Sequence, residues 1–149
     1  MFQEELIFID QPFKDSGELF HHMGALLMEK GYVKEDYTKA VIEREENFPT
    51  GLQAGSVAVA IPHVDSKYIK KAGIAFVRPS KPIEFKEMCT NRELSVDIIF
   101  LLLVKDKAKQ VTTLSALMSK FADIEFMEKL KREKRADQIL SYLDTILEE

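Results

Sequence analysis

The stretch VDIIFLLLV at residues 96–104 contains the longest apolar run of the chain, which extends from Ile98 to Val104. A nearly continuous apolar run of this length is typical of a central strand that is covered on both faces. A membrane-spanning helix needs about 20 apolar residues, so the run is too short to cross a bilayer. We therefore predict a buried strand at the centre of a sheet, and no direct insertion into a membrane.

Other strands are predicted from shorter apolar segments. Residues 56–61 are small and β-branched, and Pro62 ends this segment because proline cannot donate to a sheet ladder. Residues 73–77 predict a second strand, residues 81–85 a short third strand, and residues 6–9 an edge strand. Together with the central run, these segments predict a sheet of about five strands.

Helical patterns lie before and after the strands. The first covers residues 16–30 and ends at Gly31, and the second covers residues 35–47 and ends before Pro49. Further helices are predicted at residues 124–130, at residues 137–147, and from one stripe that comprises Val111, Leu114, Leu117, Met118 and Phe121. This order of elements predicts a single-domain α/β sandwich over residues 1–149, in which helices flank a mixed parallel and antiparallel sheet.

The composition excludes several classes of protein. Of the 149 residues, 46% are hydrophobic and 31% are charged, which indicates a folded domain and not a disordered segment. The net charge of −4 argues against a nucleic-acid partner, since phosphate backbones are bound by clustered Lys and Arg. Cys89 is the one cysteine, so no internal disulfide can form. Because residues 1–5 carry no basic region of a secretory signal, we expect a cytoplasmic protein.

His63 is the strongest candidate for chemistry among the three histidines. It follows Ala60-Ile61-Pro62 at the carboxyl end of a predicted strand, where α/β folds place functional groups, and the fixed φ of proline restricts how the imidazole is presented. Neutral imidazole is a competent nucleophile towards phosphorus near neutral pH. A purely structural histidine is the alternative, which the residue pattern taken alone favours.

The other histidines and the cysteine carry less weight. His21 and His22 are adjacent on a predicted helix, so their side chains point about 100° apart and cannot readily share a metal ion. We expect one of them to be half-buried and the other exposed. No Cys, His or carboxylate grouping has the spacing of zinc ligands, so no metal site is predicted. We interpret Cys89 as incidental.

The segment REENFPTG at residues 44–51 is a second candidate element. Arg44 lies near the end of a predicted helix, where a guanidinium can bind a phosphate through paired hydrogen bonds. Thr50 could supply a hydroxyl to the same phosphate, and Gly51 a closely approaching backbone. The alternative is that Arg44 pairs with a neighbouring glutamate on a solvated helix face, and spacing alone favours this alternative.

Three elements in order and spacing resemble the signature of a known family. The elements are Arg44-Glu45, then Phe48-Pro49-Thr50-Gly51-Leu52, then Ala60-Ile61-Pro62-His63. Their order and spacing are similar to those of the mannitol–fructose type of Enzyme IIA, a component of the phosphoenolpyruvate-dependent sugar phosphotransferase system. The likeness covers nearly the whole chain. It implies that His63 accepts a phosphoryl group from phospho-HPr, on Nε2, and that Arg44 steadies the phosphate. It also implies transfer to a cysteine of Enzyme IIB, which phosphorylates sugar arriving through the membrane Enzyme IIC, with no cofactor.

One position departs from the mannitol-type pattern. Those proteins have a second histidine near the start of the helix that follows the long strand, and the matching residue here is Gln110. Gln110 can donate a hydrogen bond to a phosphate at the positive end of that helix, but it supplies neither a charge nor a proton. The galactitol-specific branch resembles this sequence more closely, with a glutamine near this point. The resemblance therefore implies transport of galactitol or a related polyol or sugar.

A regulatory role is the alternative function. Related domains of the nitrogen type report phosphorylation to other proteins without serving sugar transport, and the sequence does not exclude this role. For either function we expect a docking face for partner proteins at Ile61, Pro62 and Val64, edged by acidic residues that complement a basic carrier.

Overall fold

The computed structural model describes residues 1–147; Glu148 and Glu149, the last two residues of the expected domain, lie outside the described residues. The strands are β1 (Ile7–Gln11), β2 (Gly51–Ala54), β3 (Val57–Ala60), β4 (Gly73–Pro79), β5 (Ile83–Lys86), β6 (Glu93–Val96) and β7 (Ile98–Leu103). The helices are α1 (Ser16–Glu29), α2 (Tyr37–Asn47), α3 (Lys107–Phe121), α4 (Ile124–Arg132) and α5 (Ala136–Asp144), with short 3-10 turns at Glu4–Leu6 and Ser66–Tyr68.

The main sheet has five strands in the order β1-β4-β7-β3-β2. The β1–β4 and β3–β7 pairs are parallel, and the β4–β7 and β2–β3 pairs are antiparallel. The predicted α/β fold with a mixed five-stranded sheet is therefore confirmed. One assignment was wrong, because the strand predicted at residues 81–85 is β5 at Ile83–Lys86, which pairs with β6 in a separate hairpin and is not part of the main sheet.

Strand β7 lies at the centre, and both of its faces are covered as the apolar run predicts. Ile99, Leu101 and Leu103 face the core under α1 and α2. Ile98, Phe100 and Leu102 alternate with them and face the core under α3, α4 and α5. The observed strand is shorter than the predicted one at residues 96–104. Val96 ends β6, and the Asp97 carboxylate accepts a hydrogen bond from the amide of Ala58 at 2.9 Å.

Helix α1 begins and ends with standard capping groups. The Asp15 side chain accepts a hydrogen bond from the Glu18 amide at 2.8 Å. Gly31 has a φ of +83°, and the Tyr32 amide bonds back to the Leu27 carbonyl at 2.9 Å, as in a Schellman motif. These groups set the length of α1 and turn the chain towards α2.

The apolar stripe predicted for α3 was partly wrong. Val111 is 67% exposed and Met118 is 40% exposed, whereas the buried line of the helix consists of Thr113, Leu117 and Phe121. The spacing of the apolar residues is compatible with more than one buried face of the helix. The buried face includes a polar residue, Thr113, so the apolar pattern alone did not identify it.

The sheet brings the predicted site residues to one edge. Because β3 and β7 are parallel, their carboxyl ends lie side by side, with His63 beyond one end and α3 beyond the other. Helix α2 leads through a short turn into β2, which pairs with β3. The separate segments that carry Arg44, Thr50, His63 and Gln110 therefore lie at the same edge of the sheet.

The packing of α1 against α2 depends on Gly24. A Cβ atom at this position would overlap the hydroxyl of Thr38. We expect Gly24→Ala to lower the free energy of unfolding by about 1–3 kcal/mol, as in other overpacked cores. Gly17→Ala on the same helix is the control, since its Cβ would meet Asp15 at an ordinary 3.4 Å. Urea denaturation measures the free energy of unfolding of both variants. Equal values for the two would contradict a close contact between residue 24 and Thr38.

Candidate active site

The His63 side chain is half-buried just beyond β3, and its ring is held by a backbone group. Nδ1 lies 2.8 Å from the carbonyl oxygen of Ile61. A carbonyl oxygen can only accept a hydrogen bond, so in the neutral ring Nδ1 carries the proton and the lone pair lies on Nε2. The ring therefore presents one nucleophilic nitrogen in a fixed tautomer.

The segment that carries His63 is tied to three neighbouring elements. Its direction is set by bonds on both sides of the imidazole: the Ile61 amide donates to Thr50 Oγ1 at 3.1 Å, the Pro62 carbonyl accepts from the Leu102 amide at 3.1 Å, and the Val64 carbonyl accepts from Gln110 Nε2 at 3.0 Å. Each of these bonds uses a backbone group that lies beyond the sheet ladder. The loop is consequently rigid where an ordinary strand end would fray.

The pKa of His63 is lowered from its ordinary value of 6.5. Burial is the main cause, because it disfavours the charged ring, and the positive charge of Arg44 acts in the same direction. The hydrogen bond to Ile61 opposes both effects. The lowered pKa therefore favours the neutral imidazole at pH 7, in which the Nε2 lone pair is available.

Arg44 lies in the last turn of α2 with its guanidinium over the ring of Phe48, 4.9 Å from the ring centroid. It forms no ion pair within residues 1–147, so the surface pair with a neighbouring glutamate is not formed. Its charge contributes to the lowered pKa of His63. The pKa of Asp65 is lowered mainly by the hydrogen bond from the Lys67 amide, and the charge of Arg44 acts in the same direction. Lys107 and Lys67 also act on Asp65, which places three cations around the residues that follow the strand.

Thr50 is buried, and its hydroxyl is already bonded. Oγ1 donates to the carboxylate of Glu45 at 2.9 Å and accepts from the Ile61 amide, while the Thr50 amide donates to Glu45 at 2.8 Å. In this arrangement the hydroxyl has no free proton for a phosphate, so the contact predicted from the sequence would require the bond to Glu45 to break. The structure brings Thr50 close to His63 through Ile61.

Gly51 is required for packing. A Cβ atom here would lie 2.5 Å from the carbonyl oxygen of Lys86, and the Gly51 carbonyl accepts from the Met88 amide at 2.8 Å. The close backbone approach at Gly51 is therefore made by the β5–β6 hairpin. A contact of Gly51 with phosphate stays a prediction.

Gln110 lies in the first turns of α3, where the sequence predicted a group that faces His63. Its side-chain nitrogen donates one proton to Val64 O, the carbonyl of the residue after His63. The second amide proton is left for another acceptor. Gln110 therefore borders the site, and its predicted contact with a phosphate stays a prediction.

Glu45 is the site residue that sequence reasoning missed. It follows Arg44 on α2, and burial raises its pKa to about 7 against the opposing effect of the hydrogen bonds from Thr50. Glutamates on helix surfaces are common, so nothing in the composition marks this one as half-buried. Its place in the Arg-Glu pair, five residues before a threonine, was the available signal.

The remaining candidates lie elsewhere or have other roles. His21 and His22 are both exposed, so the expectation that one is half-buried was wrong, and the His22 ring instead lies 5.2 Å from that of Phe13 on the surface. Cys89 is exposed in the turn between β5 and β6. No cluster of three potential metal ligands is found in the described part of the chain.

The docking face expected at the strand end was also wrong. Ile61 is 2% exposed and Val64 is 3% exposed, so both contribute to the core. The exposed apolar group near the site is Phe48, which is 62% exposed and lines a cavity of about 260 Å³ together with Val64 and Asp65. This cavity is lined by two acids, Glu43 and Asp65, and by two cations, Arg44 and Lys67, so the acidic edge expected around the docking face stays a prediction.

Comparison with known proteins tests the family resemblance. The family described as phosphoenolpyruvate-dependent sugar phosphotransferase system, EIIA 2, matches residues 1–146. The chain belongs to this family. It is an EIIA type 2 domain and hence a phosphoryl-transfer carrier of the phosphotransferase system, which confirms the family predicted from the signature elements.

Individual relatives differ in their roles. The galactitol-specific EIIA component of Escherichia coli K12 is 30% identical over 118 residues, which is 79% of this chain and 79% of that protein. The nitrogen regulatory protein IIA-Ntr from Neisseria meningitidis is 28% identical, with a TM-score of 0.79 over 95% of each chain. A chain in the complex of E. coli mannitol IIA with phosphorylated IIB shares the fold, with 21% identity and a TM-score of 0.77 over 97% of this chain and 99% of that chain. Within residues 1–147, the EIIA domain has no helix with the length and apolar character needed to cross a membrane.

Removal of the Arg44 charge should change the titration of His63. We expect Arg44→Ala to raise the pKa of His63 towards 6.5, because the guanidinium disfavours protonation of the ring. An NMR titration of the ring protons measures this pKa. Lys39→Ala removes an exposed cation from the same helix and serves as the control. A His63 pKa that is equal in the two variants would show that Arg44 does not act on the imidazole.

Glu45 should make stability depend on pH. Its pKa rises from 4.5 to about 7 on folding, so the stabilisation from its bound proton is full below about pH 4.5 and is lost as the pH rises to about 7. Glu45→Gln should therefore flatten the decline in unfolding free energy between about pH 5 and about pH 8. Urea denaturation at both values measures the slope, and Glu46→Gln is the exposed control. Parallel slopes for the wild type and Glu45→Gln would contradict the buried carboxyl.

Proposed function

We propose that this EIIA domain carries a phosphoryl group on Nε2 of His63, accepting it from phospho-HPr and donating it to a cysteine of Enzyme IIB. One observation carries the proposal: the hydrogen bond from Nδ1 to the Ile61 carbonyl leaves Nε2 as the unprotonated nitrogen of a ring with a lowered pKa. Arg44, whose charge reaches this ring, supports the same assignment.

The chemistry balances without a cofactor. The Nε2 lone pair of His63 forms a bond to phosphorus while the N–P bond of the donor breaks, and its electron pair stays on the donor imidazole. The phosphorylated ring keeps its Nδ1 proton and gains positive charge, which the Ile61 carbonyl stabilises through the existing hydrogen bond. A thiolate of Enzyme IIB then attacks phosphorus, and the electron pair of the broken N–P bond returns to Nε2.

The surrounding charges favour the transferred group. A phosphoryl group on His63 would bring negative charge next to Arg44, and Lys107 and Lys67 lie around the neighbouring Asp65. Cations fixed in place before the reaction stabilise the charge of a phosphoryl group in the transition state. The stacked position of Arg44 on Phe48 restricts the guanidinium, so less conformational freedom is lost when it binds phosphate.

The partners and the sugar are inferred from relatives. The likeness to the galactitol-specific EIIA component supports galactitol, or a related polyol or sugar, as the transported substrate. The substrate would enter through Enzyme IIC, and the phosphoryl transfer from this domain to Enzyme IIB would take place in the cytoplasm. The mannitol IIA–IIB complex supports docking of Enzyme IIB, and Phe48 offers an exposed apolar contact for such a partner beside the site.

A regulatory role is the second candidate function. It is supported by the likeness to the nitrogen regulatory protein, which is 28% identical over 95% of the chain. The two roles differ in the fate of the phosphoryl group. Its transfer to a cysteine of an Enzyme IIB encoded beside this protein supports transport, whereas its retention on this chain supports regulation.

The wild-type protein should be phosphorylated when it is incubated with phosphoenolpyruvate, Enzyme I and HPr. We expect intact mass spectrometry to show one acid-labile phosphate, and His63→Ala to show none, because this variant lacks the nucleophile. His22→Ala removes an exposed histidine of α1 and should be labelled like the wild type. Normal labelling of His63→Ala would disprove the assignment.

A further inference from the structure

Hydrogen bonds to both backbone groups of Ile61 link the Glu45 side chain on α2 to the imidazole. The Glu45 carboxylate accepts from the Thr50 hydroxyl at 2.9 Å, and the same hydroxyl oxygen accepts from the Ile61 amide at 3.1 Å. The Ile61 carbonyl in turn accepts from His63 Nδ1 at 2.8 Å. Each of these three bonds lies within ordinary hydrogen-bond distance, and the covalent backbone of Ile61 joins the second bond to the third.

The Thr50 hydroxyl takes the place of a strand partner. The β2–β3 ladder ends at the pair Gly51 and Ala60, so the Ile61 amide lies one residue beyond it. A buried amide without an acceptor is costly, and Thr50 provides that acceptor from a side chain. The pairing is thereby extended by one residue, which fixes the orientation of Ile61 and of its carbonyl.

Glu45 determines which way the hydroxyl points. As a carboxylate it can only accept, so the Thr50 proton is directed to Glu45 and an oxygen lone pair is left for Ile61. A second bond, from the Thr50 amide at 2.8 Å, anchors the carboxylate in this position. Neither Glu45 nor Thr50 needs to contact the phosphate to have this effect.

We propose that Glu45 and Thr50 are positioning residues for phosphoryl transfer, which hold Ile61 so that its carbonyl keeps His63 in the Nδ1-protonated tautomer with Nε2 aimed at the donor. The inference rests on the proposed function, in which His63 is the phosphorylated residue. It adds a role for the glutamate of the Arg-Glu pair and assigns the threonine to orientation and not to direct phosphate binding.

The protonation state of the Glu45 carboxyl depends on the groups around it. It borders a cavity of about 440 Å³, whose other charged groups are Glu46 on the same helix, Glu84 and Lys86 on β5, and Glu93 on β6, with Ser16 and Gly17 of α1 at its rim. Three other carboxylates and one cation therefore line the cavity that Glu45 borders, and burial raises the pKa of Glu45 to about 7. When Glu45 binds a proton it can donate as well as accept, and the direction of the Thr50 hydroxyl is no longer fixed.

Two substitutions at Thr50 separate positioning from packing. Thr50→Val keeps the shape of the side chain and removes the hydroxyl, whereas Thr50→Ser keeps the hydroxyl. We expect Thr50→Val to slow labelling of His63 by phospho-HPr about tenfold to a hundredfold, as for a misplaced nucleophile, and Thr50→Ser to stay near the wild-type rate. Nitrogen-15 NMR of the His63 ring should show the Nδ1-protonated tautomer in the wild type and in Thr50→Ser, and a mixture of tautomers in Thr50→Val.

Glu45→Gln provides a test that does not depend on the folding of Thr50→Val. The wild-type labelling rate should rise as the pH passes about 7, where Glu45 becomes a carboxylate, and Glu45→Gln should lack this rise while circular dichroism shows it folded. Equal rates for Thr50→Val and Thr50→Ser, or the same pH profile for the wild type and Glu45→Gln, would overturn the inference. An unlabelled wild type would instead overturn the proposed function.

Discussion

The geometry of the site depends on Ile61, which is bonded through both of its backbone groups. Its amide donates to Thr50, and its carbonyl accepts from His63 Nδ1. Because the carbonyl can only accept, this one contact decides which ring nitrogen carries the proton and which is the nucleophile. A backbone carbonyl at the end of a strand thus holds the histidine in one tautomer, whereas other enzymes use a carboxylate bonded to Nδ1 for this purpose. The carbonyl adds no charge and raises the pKa less, so burial and Arg44 keep the ring neutral.

The mixed sheet explains why these groups meet. The parallel pairing of β3 with β7 places His63 beside the start of α3, and the antiparallel pairing of β2 with β3 brings the end of α2 to the same edge. The two apolar faces of β7 are buried under helices on both sides, which makes the register of the central strands costly to change. The site is therefore built on the rigid part of the fold, and little of it depends on long loops.

The sequence was sufficient for the features that depend on strong local patterns. The apolar run at residues 96–104 identified β7, and Pro62 identified the strand end at His63. Strands β2 and β6 escaped prediction because they are short and contain polar residues, so neither has a clear period. The role of Glu45 could not be predicted because the burial of an acidic residue is a tertiary property. The sequence also could not show whether Arg44 pairs with a glutamate close to it on α2, because closeness in sequence does not ensure contact between side chains. Within the described residues Arg44 forms no ion pair.

The mechanism depends on where the proton of one ring lies, and nitrogen-15 NMR of histidine-labelled protein measures this. Before phosphorylation, we predict that Nδ1 of His63 is protonated and that Nε2 is not. After phosphorylation, we predict a one-bond nitrogen–phosphorus coupling to Nε2, with the Nδ1 proton still present and protected from exchange by Ile61. A proton on Nε2 in the free protein, or a phosphorus coupling to Nδ1, would contradict the mechanism.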